Sequence, residues 1–241
     1  MVPFLKRATP FPPIEQARRR PDGLLAAGAD LSPQRLLDAY RHGIFPWFSA
    51  GDPILWWSPD PRQVLLADEL HVSQRLRRRL KRREFEVRVN SSFREVMLAC
   101  AAPREGQDGT WITSEMVDAY CALHALGHAH CVEAWRDGRL AGGVYGVQIG
   151  RMFFGESMFK RETDASKVAL VCLVEILKCM GIGLMDCQQA TKHTTSLGAR
   201  TIPRSAFKAW LEKWVNQPAL MSFEEAASVV NFSSRLTSST T

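Results

Sequence analysis

Glu156 stands in the stretch FFGESMFK, among aromatic and sulfur side chains just after a glycine. A carboxylate in that setting is costly to desolvate unless a cation or a proton meets it. A second polar pair, Asp186 and Gln188, follows the apolar run GIGLM. Side chains at i and i+2 of a strand share a face, so this pair can address one reacting centre while Cys187 turns away. The plainer alternative makes Asp186 the cap of the next turn and Gln188 a surface amide, and the residues alone leave both readings open. A third group is cationic: Arg75, Arg77, Arg78, Arg79, Lys81, Arg82 and Arg83 surround an apolar stripe of Val72, Leu76 and Leu80. That spacing predicts an amphipathic helix over Asp68 to Arg83. No acid follows until Glu84, so ion pairs inside the helix do not account for the charge. Phosphate binding and a solvated face both remain open for it.

What is missing narrows the chemistry. The chain has no P-loop, no G-x-G-x-x-G between a strand and a helix, no H-E-x-x-H and no G-x-S-x-G. His128, His130 and Cys131 lack a second ligand cluster, which argues against a metal site. An enzyme of this composition is expected to take a substrate that arrives already activated, with no cofactor. The net charge of +6 favours an acidic partner, most simply nucleic acid. Six cysteines without a C-x-x-C pair fit reduced thiols in the cytoplasm. The start, MVPFLKRATPFPP, has no apolar run of the signal-peptide kind, and no stretch reaches the ~18 apolar residues that span a membrane.

The elements that must hold these groups form three parts. Residues 1–62 are rich in Pro, Gly and Trp and read as a small N-terminal domain with one helix, started by Ser32 and Pro33 and stopped by Gly43. Its Trp47, Trp56 and Trp57 read first as a mini-core. Residues 63–215 read as a mixed α+β domain. EFEVRVN alternates as a strand, Ser92 to Ala101 is a short helix, the loop PREGQDG leads to Trp111, and Thr113 caps a further helix. A strand series follows, turning at Asp137-Gly138 and again at Gln148 to Gly150. Then come a long apolar helix with Asp164 as its expected cap, the strand IGLMDCQ and a last helix after Pro203. Residues 216–241 grow rich in Ser and Thr and read as a loosely held tail.

The strings PDGLLAAGADLSPQRLLDAYRHGIFPWFSAGDPILWWSPDPR, GTWIT, LGHAHCVEAW, GGVYGV, FFGESMF, ASKVAL and DCQ with HTTSLGA are long and specific. Through them the sequence resembles the bacterial leucyl/phenylalanyl-tRNA–protein transferases, over Pro21 to Val215. It departs from that pattern at Lys160 and over Gln189 to Lys192. The resemblance implies a GNAT-like (N-acetyltransferase-like) α+β fold behind a small N-terminal domain. It implies transfer of Leu, Phe or, less well, Met from aminoacyl-tRNA to the N-terminal α-amine of proteins that begin with Arg or Lys, marking them for degradation. An aminoacyl ester is already activated, which agrees with the missing nucleotide and metal motifs.

Under that resemblance Glu156 faces the acceptor's cation and α-amine, Gln188 positions the amine or the carbonyl, Asp186 orients or polarises Gln188, and Asp186, the tRNA or water carries the proton. Met158, Phe153, Val144 and Leu170 are the expected aminoacyl pocket, with ordinary core as the plain reading of Val144 and Leu170. Trp111, Tyr120 or Trp47 would stack the terminal adenine. Arg75, Arg78, Arg79, Lys81, Arg82 and Arg83 would take tRNA backbone phosphates. Two rivals are a small-molecule acetyltransferase, for which Arg139 to Val144 is a poor coenzyme A loop, and an RNA-binding module without catalysis.

Overall fold

The computed structural model describes residues 2–103 and 110–230. The loop over 104–109, and residues 231–241 of the expected tail, lie outside the described residues. In chain order the elements are β1 (Phe4–Leu5), β2 (Leu24–Gly28), α1 (Pro33–Arg41), β3 (Phe45–Pro46), β4 (Leu55–Trp57), β5 (Arg62–Leu66), α2 (Gln74–Arg82), β6 (Glu86–Val89), α3 (Phe93–Ala101) and α4 (Ser114–Ala125). They continue with β7 (Ala129–Arg136), β8 (Arg139–Ile149), β9 (Met152–Lys160), α5 (Ala165–Cys179), β10 (Leu184–Gln188), α6 (Lys192–Ser196), β11 (Arg200–Ile202), α7 (Arg204–Trp214) and α8 (Phe223–Val229).

The N-terminal strands make a four-stranded sheet in the order β1-β2-β4-β3. A seven-stranded sheet follows, in the order β11-β5-β10-β9-β8-β7-β6. Its strands are antiparallel except for the β9–β10 pair, which is parallel. This is the mixed α+β sheet expected from the order of elements. Among the described residues no helix is long and apolar enough to cross a membrane.

The large sheet separates two apolar layers. On one side α5, α2 and α8 pack Leu170, Leu76, Leu80 and Phe223 against Val144 and Phe153. On the other, α1, α3, α4 and α7 bring Tyr40, Val96, Tyr120 and Phe207 onto Tyr145, Val147 and Phe154. The second layer is continuous with the N-terminal sheet, because Leu25, Phe45 and Trp56 belong to the same cluster. The tryptophan mini-core is therefore an extension of the main core.

Three expectations need correction. The cationic helix starts later than Asp68: Ala67–Glu69 is a separate 3-10 turn, and Ser73 accepts the Leu76 amide (3.2 Å) as the N-cap of α2. Asp164 precedes α5 but does not cap it with its side chain; its backbone is left-handed (φ 68) and its carboxylate is held by Arg75 at 2.8 Å. The segment from residue 216 is not loose as far as it is described. Ser222 and Glu225 form a capping box that starts α8, and Phe223 is buried against α5.

Candidate active site

β9 and β10 run side by side for only two residue pairs, Met185 with Phe153 and Asp186 with Phe154. Beyond them the ladder between the two strands stops. Each strand is irregular at that place. Opposite the step from Tyr145 to Gly146, β9 carries one extra residue, Glu156, between Gly155 and Ser157. Such a bulge re-aims a side chain. Gly146 permits the close approach, since a Cβ there would lie 2.2 Å from the Phe154 carbonyl oxygen. On β10 the register shifts between Asp186 and Gln188, and Gln188 is left-handed with φ 62. A non-glycine residue holds that conformation only where its surroundings enforce it.

Where the ladder stops, Glu156 is contacted by three side chains, from α1, α4 and β10. Its Oε1 accepts the Tyr40 hydroxyl at 2.7 Å and the Gln188 Nε2 at 2.6 Å. Its Oε2 accepts the Tyr120 hydroxyl at 3.2 Å. The two tyrosine hydroxyls are also within hydrogen-bond reach of each other, and with one proton apiece they fill two of these three contacts at a time. Burial is the largest influence on Glu156 and pushes its carboxyl up to about 7; the three hydrogen bonds pull the other way, and Asp186 adds to the rise. Burial and the Glu156 charge hold both tyrosines well above the usual phenol range, so they act as donors.

Asp186 is fully buried and doubly occupied. Arg62, the first residue of β5, reaches it with Nε (2.8 Å to Oδ1) and Nη2 (2.6 Å to Oδ2). The same Oδ1 accepts the Gln188 backbone amide at 2.9 Å. Asp186 is therefore no open proton acceptor. It ties Gln188 in its left-handed turn, and Arg62 neutralises it.

Several expected residues sit elsewhere. Tyr120 is completely buried, edge-on to Tyr145, and offers no face to an adenine; it is a ligand of Glu156 instead. Phe153, Val144 and Leu170 are core residues of the α5 layer, at 0%, 3% and 2% exposure, and present no surface to a ligand. Met158 pairs with Val144 and is half-buried against the α5 layer, with its sulfur 3.1 Å from His193 Nε2 of α6. Trp47 remains 38% exposed, edge-on to Trp57, and Trp111 is half-buried against the α4 layer. The cationic helix is divided. Arg75 and Arg79 both reach Asp164, four residues beyond β9, whereas Arg78, Lys81 and Arg82 are exposed. This tertiary pairing escaped the sequence because Asp164 lies so far along the chain. Tyr40 and Arg62 were missed as site residues.

Two family models cover the chain. Residues 64–212 match "Leucyl/phenylalanyl-tRNA protein transferase" and residues 29–60 match its N-terminal domain. Among curated relatives, a leucyl/phenylalanyl-tRNA–protein transferase of Nitrosomonas europaea is 60% identical over 213 residues, 88% of this chain and 90% of that protein. One from Chromobacterium violaceum is 58% identical over 218 residues, 90% of this chain and 94% of that protein. One from Aromatoleum aromaticum is 54% identical over 237 residues, 97% of this chain and all of that protein. Among solved structures, a GCN5-related N-acetyltransferase-like protein from Streptococcus suis matches with TM-score 0.33 and 14% identity, over 66% of this chain and 59% of the other; likeness at that score carries no argument. The two family models and the extent of these identities show that the chain belongs to the leucyl/phenylalanyl-tRNA–protein transferase family.

Proposed function

We propose that this transferase moves Leu, Phe and, less readily, Met from aminoacyl-tRNA to the N-terminal α-amine of cytoplasmic proteins that begin with Arg or Lys, without ATP or metal, and so marks them for degradation. The single observation that carries the chemical part is the Glu156 carboxyl, set by a bulge where the β9–β10 ladder stops and bonded to Gln188 Nε2 at 2.6 Å, with burial pushing it up to about 7. Aminolysis needs a neutral amine at the ester carbonyl, and a group to take its proton. An N-terminal amine has an ordinary pKa of about 7.7–8.0. A carboxyl near 7 is closely matched to it, so proton transfer between them costs little, and a base matched to the working pH is the efficient one. In this reading the amine nitrogen forms the new bond to the carbonyl carbon, Glu156 takes the amine proton, and the ribose 3′ oxygen leaves and is protonated.

Gln188 spends its amide hydrogen on Glu156 Oε1, which leaves its carbonyl oxygen to receive an N–H of the incoming amine. Its role is positioning, because an amide is a poor base. Met158 is the side chain of the expected pocket that is only half-buried, and a thioether adapts to both Leu and Phe. Trp47 and Trp111 keep ring surface for the terminal adenine. Arg78, Lys81 and Arg82 point to solvent on a helix tethered just beyond β9, and suit tRNA phosphates. The preference for an Arg or Lys terminus rests on the family resemblance alone.

The test is a transfer assay with radiolabelled Leu-tRNA and Phe-tRNA and peptides that begin with Arg, Lys or Gln. Label is expected in the Arg and Lys peptides and not in the Gln peptide. No label in any peptide would remove the transfer reading, and equal labelling of all three would remove the terminus preference.

A further inference from the structure

Arg62 is among the largest fully buried side chains of the molecule. Two of its nitrogens grip Asp186, and the third donates to the Gly43 carbonyl at 3.0 Å. Its guanidinium lies over the Phe207 ring at 4.5 Å and the Phe45 ring at 5.0 Å. Replacing a buried ion pair by apolar residues is often neutral or favourable, so stability alone is a weak reason for this one. What the guanidinium fastens gives a better reason.

On one side it holds Asp186, which fixes the backbone of Gln188. On the other it holds Gly43, whose left-handed turn (φ 73) ends α1 and whose amide bonds back to the Tyr40 carbonyl at 3.0 Å. Gln188 and Tyr40 are the two donors to Glu156 Oε1. They come from different sheets' connections, 148 residues apart in number, and Arg62 is the group bonded to both supports.

We propose that Arg62 is a positioning residue of the transfer site, a single clamp that sets the Tyr40 and Gln188 donors on Glu156 Oε1 together. It rests on the reading of Glu156 given above. Arg62 touches no reacting atom. Loosening it lengthens both bonds to the carboxylate. Hydrogen bonds to a carboxylate favour its charged form, so their loss raises the proton affinity of Glu156 and leaves it less ionised at neutral pH. The groups facing Glu156 are Tyr40 of α1, Tyr120 of α4, Tyr145 of β8, and Asp186 with Gln188 of β10. Of these, the ones Arg62 supports are Tyr40, Asp186 and Gln188.

The experiment uses the full chain labelled with ¹³C at the glutamate carboxyls, with the Glu156 signal assigned by its loss in Glu156→Gln. Arg62→Lys keeps the charge but not the fork, and a lysine cannot reproduce two bonds to Asp186 and one to Gly43. It is expected to fold, to lose about tenfold or more in kcat with tRNA affinity unchanged, and to move the Glu156 titration midpoint upward by about half a unit or more. The double variant Arg62→Met with Asp186→Leu removes the buried charges together. It is expected to recover the stability that Arg62→Met loses alone, and not the rate. A merely structural pair would give a lowered melting point with the Glu156 titration unmoved, or full activity in the double variant; either result overturns the proposal. The titration needs no activity, so a failure of transfer in the wild type would be told apart from a failure of the clamp.

Discussion

Glu133 and Glu156 lie on the same face of the large sheet, two strands apart, and both are ringed by hydrogen-bond donors, yet their surroundings drive them in opposite directions. Glu133 is fully buried on β7. It accepts the backbone amides of Ser91 (2.8 Å) and Ser92 (2.9 Å), the Ser91 hydroxyl, the Trp135 indole (2.8 Å) and the Cys131 thiol (3.2 Å). Ser92 precedes α3, so the carboxylate sits at the positive end of a helix. Burial is the largest influence and raises it, but the bonds together win and hold Glu133 below the usual carboxylate range. Glu156 has three donors, one of them long, and Asp186 nearby. There burial wins. Glu133 has more donors, two of them backbone amides, and Glu156 has fewer donors and the heavier desolvation; both differences push the two carboxylates apart.

The comparison can be broken first at the rate. Glu156→Gln keeps the shape and removes the base, and transfer is expected to fall by about 10²–10⁴-fold. Glu133→Gln should leave transfer per folded molecule within a few-fold of wild type. Steady-state assays at saturating tRNA check both, and equal losses in the two variants would end the distinction.

Stability should respond in the opposite order. Glu133 has a depressed pKa, so its contribution is fully present above the unfolded value near 4.5 and is lost as pH falls through its folded pKa. Glu133→Gln is therefore expected to cost about 2–4 kcal/mol at pH 7, at roughly 1.5–3 kcal/mol for each hydrogen bond to a charged group less what the amide retains. Glu156 is raised from 4.5 to about 7, so its protonated form favours folding below the unfolded value, and that advantage is lost as pH climbs through about 7. At pH ~8 Glu156→Gln should gain stability, by up to about 3 kcal/mol, and the gain should vanish toward pH ~5. Urea melts at the two pH values read both signs. A Glu156→Gln protein less stable than wild type at both would show that the carboxylate is well paired after all.

The smallest effect sharpens the role of the long bond. Tyr120→Phe removes the 3.2 Å donor to Oε2. The Glu156 midpoint should rise by about half a unit or less, and the rate should change only a few-fold. A loss as large as that of Glu156→Gln would make Tyr120 part of the proton path.

How much of this was readable in the sequence follows from where each partner lies. Glu156, Asp186 and Gln188 stood out because polar residues followed apolar strand patterns; β10 does end at Gln188, whereas β9 runs on to Lys160 and Glu156 sits in a bulge in its middle. Tyr40 and Arg62 did not, because what makes them site residues is contact across 116 and 124 positions of chain. Alternation also carried no sign of the two bulges, which depend on Gly146 meeting Phe154 and on Gln188 adopting a positive φ. Phe153 and Val144 were apolar residues near the site in sequence, but strand alternation turns both toward the α5 layer, and Leu170 belongs to α5 itself. The capping box at Ser222 and Glu225 was present in the sequence and was masked by the surrounding Ser- and Thr-rich composition.

The central claim is that Glu156 takes the amine proton. The direct measurement is the single-turnover rate of transfer from Phe-tRNA to a saturating Arg-initiated peptide, followed from pH ~5.5 to ~9 for wild type and Glu156→Gln. The wild-type rate is expected to fall off below pH about 7, where Glu156 protonates. In the variant that break should disappear, leaving a slow reaction governed by the amine alone near pH ~8. The same break near 7 in both proteins, at whatever rate, would contradict the account.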